Sequence, residues 1–153
     1  MLGGAGGCRQ AAIHGAEGSP DALARTVLLA IERQDAARLR ALALSYEEFR
    51  AVVWPELPAA RPERNLPLDY VWNDLRVKSE TALRRTMAGR GGEPLELLRV
   101  GFMGETTQYR TYLVHRQAVL TVRGGDGVQE SVRLFGSVFE QDGRFKVFSY
   151  VVD

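Results

Sequence analysis

The chain has 153 residues and a mass of 17.0 kDa, enough for one domain with a substantial core. A charged fraction of 25% and a formal net charge of +1 leave no general pull toward nucleic acid or a membrane surface, and no apolar run nears the roughly 18 residues of a membrane span. The single cysteine, Cys8, rules out an intramolecular disulfide and a multi-cysteine zinc site, and two histidines, His14 and His115, argue against a histidine-rich metal centre.

The first eighteen residues are rich in Gly and Ala and lack hydrophobic periodicity, which predicts a mobile tail ahead of one domain over 19–153. Within them "AGGCRQ" resembles the end of a bacterial lipoprotein signal, where small residues precede a lipid-modified cysteine. Ala5, Gly6 and Gly7 take the small positions before Cys8, with Ala5 where that family usually has leucine. The resemblance implies a lipid anchor at Cys8 and an address at the bacterial cell envelope. Without lipidation the expected address is the cytoplasm.

Ser19-Pro20-Asp21 is a helix start, with a hydroxyl cap, proline in the first turn and an acid near the positive end of the dipole. Leu23, Val27, Ala30 and Ile31 share one face of a helix running to about Arg33. Asp35 caps a second helix that buries Leu39, Leu42 and Ala43. Ser45 and Glu48 have capping-box spacing ahead of a short helix carrying Phe49, Val52 and Val53. Four prolines over 55–67 predict a loop, and a long helix over 68–88 follows, with Leu68, Val71, Trp72, Leu75, Ala82 and Thr86 inward. Gly89, Gly91 and Gly92 stop it.

From Leu95 the period falls to two, which predicts four strands over 95–104, 107–123, 128–140 and 144–152. Gly-Asp-Gly (125–127) and Gln-Asp-Gly (141–143) supply hairpin turns. Helices first and a meander after make an α+β plan: helices packed on a strongly curved four-stranded antiparallel sheet. Curvature is required by length. A straight strand over 107–123 would reach on the order of 55 Å, whereas a chain of this size has a radius of gyration of about 15 Å. That strand must curl or bulge, and so must its neighbour carrying Gly136. The closing hairpin is apolar on both faces, so one face is expected to meet the helices and the other a second copy of the chain.

With helices before long bent strands and the closing "FEQDGRFKVFSY", residues 20–153 resemble the nuclear transport factor 2-like superfamily. The resemblance implies a cone with a pocket between the concave sheet face and the helices, and frequent dimerisation through the outer sheet face. It implies no single chemistry.

Candidate site residues follow from strand phase. His115 shares a face with Tyr109, Thr111, Leu113, Gln117 and Val119, opposite the more apolar Tyr112, Val114, Ala118, Leu120 and Val122. It is expected to point outward unless a bulge within 115–117 reverses the phase, and it is the weak candidate for acid–base catalysis. Arg116 lies in phase with the apolar set. It therefore needs an acid such as Asp74, a route to the rim, or an anionic ligand. Tyr70, Trp72 and Tyr112 are candidates to line an apolar ligand cavity beside Asp74 and Arg116. No phosphate-binding glycine loop, HExxH or GxSxG motif is present, and no cofactor or metal is expected. The leading expectation is a non-catalytic domain that binds a small apolar or anionic ligand or a partner. The alternatives are a small-molecule isomerase, dehydratase or cyclase, and a structural homodimerisation domain.

Overall fold

The computed structural model describes residues 13–152, so Cys8 and the anchor expected there lie outside the described residues. Helix α1 (Pro20–Glu32) begins where the sequence predicts, with Ser19 Oγ accepting from the Ala22 amide at 3.0 Å. Helix α2 (Ala36–Ala41) is capped by Asp35. Helix α3 (Tyr46–Glu48) carries the complete Ser45–Glu48 capping box and widens into a π-turn over Phe49–Val53. The proline-rich loop resolves into single 3-10 turns at Trp54–Glu56, Pro58–Ala60 and Pro62–Arg64, because a proline φ already suits such a turn. Helix α4 (Leu68–Arg90) runs two residues past its predicted end. Among the described residues, no helix is long and apolar enough to cross a membrane.

The α+β plan holds, but the four-stranded meander is corrected, among the described residues, to seven strands in two antiparallel sheets. One sheet has the order β1 (Leu95–Phe102), β4 (Ala118–Gly124), β5 (Gln129–Val132). The other has the order β2 (Thr106–Gln108), β3 (Leu113–His115), β6 (Val138–Gln141), β7 (Arg144–Val147). The predicted strand over 107–123 breaks twice. A turn at 109–112 closes the β2–β3 hairpin, with the Tyr109 amide donating to the Tyr112 carbonyl at 2.8 Å. The second break is at Arg116–Gln117, where Gln117 has φ 57° and the chain passes from one sheet to the other. The predicted strand over 128–140 likewise changes sheet, between β5 and β6. The two crossings meet where the Ala118 amide donates to the Gly136 carbonyl at 2.9 Å. Strands that bend from one sheet into the next make such corners, where a curl or bulge within one sheet was expected from their length.

Gly136 is fixed by space at this corner. A Cβ there would sit 2.1 Å from the Val151 carbonyl oxygen, so only glycine lets the C-terminal segment lie against it.

The β6–β7 hairpin lies between two apolar clusters. Val138, Phe145 and Val147 join Leu23, Val27 and Ile31 of α1 with Leu120 and Val122 of β4. On the opposite face Phe139 joins Phe49, Val53, Tyr112 and Val114. The second face, expected to meet another copy, is therefore covered within this chain. Residues 13–18, expected in the tail, also pack: Ile13 is buried, and Glu17 exchanges backbone hydrogen bonds with Phe145.

Beside Phe139, Lys146 is 3% exposed and bonds the 5% exposed Glu48 at 2.7 Å. Glu48 also accepts the Ser45 and His14 amides, so each carboxylate oxygen has a donor and the buried pair is internally satisfied.

Candidate functional site

Helix α4 has a polar sequence, and Leu83 is its one fully buried residue. It is held by half-buried Leu68, Val71, Trp72 and Leu75 against the Phe49 cluster, by Ala82 and Met87 against the other, and by a few polar ties: Tyr46 to Asp69, Arg40 to Glu80, Ser79 to the Tyr150 amide, and Arg90 to Glu130. A helix held this way leaves space beneath it. On one side, a cleft of about 660 Å³ opens between α4, the corner of the two sheets and the C-terminal segment. Its apolar lining comes from Phe49, Leu57, Val71, Leu75, Phe148 and Val151. Its charged lining comes from Asp74, Lys78, Glu105, Arg116 and Arg133. The volume is in the range of small-molecule pockets, and the mixed lining is of the kind that orients an amphipathic guest.

The charges are not equivalent. Asp74 and Lys78 form an exposed i,i+4 pair at 2.8 Å and largely neutralise one another. Arg116 donates from Nε to Thr107 Oγ1 at 3.2 Å and has no ion-pair partner among the described residues. Gly104 backs directly onto it, since a Cβ there would lie 2.8 Å from the Arg116 Cβ. With Lys78 already joined to Asp74, the Arg116 guanidinium is the charge at this wall that a carboxylate or other anion would meet.

On the other side of α4 a second cavity of about 230 Å³ is lined by Ala43, Leu44, Trp72, Leu83 and Tyr150. Arg40, Arg76 and Glu80 are its charged residues. Leu75 and Phe148 line both cavities and stand between them. The Tyr150 hydroxyl donates to the Leu39 carbonyl, and burial pushes its phenol well above the ordinary tyrosine range.

The predicted site residues are divided among these places. Asp74 and Arg116 both line the cleft but do not pair with one another. Arg116 is exposed, because the positive φ of Gln117 turns the chain at the end of β3 and releases it from the apolar face. Trp72 lines the second cavity and packs on Phe49 with ring centroids 5.2 Å apart. Tyr70 is 66% exposed on the outer surface of α4. Tyr112 is a core residue, 1% exposed, whose hydroxyl donates to the Val53 carbonyl at 2.8 Å. Burial, reinforced by Tyr109 and Glu56, raises its pKa strongly.

His115 is half-buried in a small polar relay. Its Nε2 lies 2.7 Å from Glu140 Oε1 and its Nδ1 lies 3.0 Å from Thr106 Oγ1. The rings of Phe102 and Phe145 lie 5.2 and 6.3 Å from the imidazole. With Nε2–H donating to Glu140, Nδ1 is left as an acceptor facing the threonine hydroxyl. Thr106 and Glu140 carry no sequence motif, because β2 and β6 are brought beside β3 only by the fold.

Lys78, Glu105, Arg133 and Phe148 also went unmarked in the sequence. The one available signal was the Arg116-Gln117 pair interrupting an apolar alternation, and it marks the corner where the cleft opens. Among the described residues, no three His, Cys, Asp or Glu side chains converge as a metal site would require. No protein-family model matches the chain, and neither the curated proteins nor the solved structures contain a match to it.

Proposed function

We propose that this protein is a non-catalytic binding domain whose cleft beside α4 takes a small amphipathic anion. The observation that carries the reading is the pairing of an apolar cleft of about 660 Å³ with Arg116 at its wall, a guanidinium satisfied by one hydroxyl rather than a carboxylate. Such a group stays solvated when the cleft is empty and gains a bidentate partner when a carboxylate, sulfonate or phosphate enters. The order of helices before bent strands is consistent with a nuclear transport factor 2-like relationship, in which a cleft between helices and sheet is the expected binding place.

The test uses octanoate by calorimetry and 1-anilinonaphthalene-8-sulfonate by fluorescence. Both are expected to bind at one site, and Arg116→Gln is expected to weaken octanoate at least about tenfold, the loss of one charge-assisted contact. Equal affinity in wild type and Arg116→Gln would overturn the reading.

A second reading rests on the Thr106–His115–Glu140 relay, which has the parts of a general base with an oriented imidazole. It requires that wild type hydrolyse p-nitrophenyl acetate faster than His115→Gln. Equal rates dispose of it.

A further inference from the structure

Resting on the cleft reading, we propose that the ligand is a long-chain amphiphile with a single anionic head. Its head sits at Arg116, and its tail passes beneath α4, between Leu75 and Phe148, into the second cavity. Those two half-buried residues line both spaces, so the cavities adjoin at Leu75 and Phe148. On α4, Val71, Asp74 and Lys78 face the first space while Trp72, Ser79 and Leu83 face the second, so the route crosses the helix rather than following it. A helix with its side chains is about 10 Å across. Two opposed acyl layers make a hydrocarbon core of about 30 Å, so one long chain reaches about 15 Å, enough to cross. The chemistry changes in the same direction. The five charged residues of the cleft give way to three, of which Arg40 and Glu80 are joined to each other at 2.8 Å and Arg76 remains, beside Ala43, Leu44, Trp72, Leu83 and Tyr150. Each methylene buried against that apolar lining tightens binding about fourfold.

The test is a calorimetric series of octanoate, dodecanoate and hexadecanoate below their aggregation concentrations, on wild type and on Ala43→Phe, which fills the second cavity. Wild type is expected to bind hexadecanoate at least about 100-fold more tightly than octanoate, from the same methylene increment. Ala43→Phe is expected to keep octanoate affinity, which also reports that it folds, and to lose most of the gain with length. Affinity independent of length in wild type overturns the crossing but leaves the cleft reading standing, as does a gain with length that Ala43→Phe does not touch. Failure of octanoate to bind wild type overturns both. If Ala43→Phe does not fold, the smaller Ala43→Leu, at a position that lines the second cavity and not the cleft, serves for the same comparison. Hexadecyl phosphate beside hexadecanoate separates a phosphate head from a carboxylate, and equal binding of hexadecyltrimethylammonium overturns the requirement for an anion.

Discussion

Lys146 and Glu48 carry opposite charges in a place where neither would be tolerated alone. Their 2.7 Å contact is 98 residues apart in sequence and almost wholly removed from water. Burial pushes the Glu48 carboxyl up, but the Lys146 ammonium and the Ser45 and His14 amides outweigh it and hold the pKa below the ordinary carboxylate value. A carboxyl depressed in the folded state stabilises fully above its unfolded pKa, and that stability is lost as pH falls through the folded value. Denaturant midpoints should therefore be insensitive to Glu48 between pH 7 and about 5 and fall below the reference value of 4.5, with Glu48→Gln removing that part of the slope. Lys146→Met leaves a buried carboxylate alone and is expected to cost about 3–5 kcal/mol at pH 7. Adding Glu48→Leu is expected to restore a large part of this, because replacing both charges removes the orphan. A double mutant no better than Lys146→Met would show that the loss is one of packing. The Ser45–Glu48 cap was legible from its spacing, but the partner of Glu48 was not. Lys146 is one of two lysines in the sequence, flanked by Phe145 and Val147 in a short alternation that does not say which face is covered.

At the scale of elements, the starts of α1, α2 and α3 were legible because caps act over three or four residues, and that of α4, which has no side-chain cap, because the proline-rich loop ends before it. The β2–β3 turn was not, because what holds it lies elsewhere. Residues 109–112 contain no glycine or proline, and their amides are held by Glu56. Its carboxylate accepts the Arg110 and Thr111 amides and the Thr111 hydroxyl from more than fifty residues upstream. The alternation through 107–123 consequently reads as one strand. Glu56→Ala should leave three donors to water and cost about 1–3 kcal/mol. Amide exchange should rise across 106–115 while that of α1 is unchanged. Protection of 106–115 equal to wild type would show that the turn stands without Glu56. The candidate cleft suffered the same loss of legibility. Asp74 and Arg116 were found through their chemistry, whereas Phe148 and Arg133 are chosen by strands changing sheets, which periodicity does not record.

Across the whole molecule, cohesion is unevenly distributed. Helix α1 buries Leu23, Ala24, Val27, Leu28, Ala30 and Ile31, and α4, almost twice as long, buries Leu83 alone. Exposed or half-exposed ion pairs such as Arg40–Glu80 and Arg90–Glu130 contribute about 0–1 kcal/mol each and are screened by salt. Helix α4 should therefore exchange its amides faster than α1, and faster still around Glu80 and Arg90 at 0.5 M salt (a Debye length of roughly 4 Å), where those pairs are screened. Ligand in the cleft should slow it. Equal protection of α1 and α4 would mean that the half-buried apolar contacts of α4 hold it as firmly as full burial holds α1. The β6–β7 hairpin has the opposite character, since it closes both apolar clusters at once. Its consequence concerns synthesis. A chain made from its N-terminus has all four helices and five strands before Val138 is added, yet neither cluster can close until Val138–Val147 has left the ribosome. The nascent protein must therefore carry two open apolar surfaces through most of its translation, and shielding them is the task of the cell rather than of the sequence.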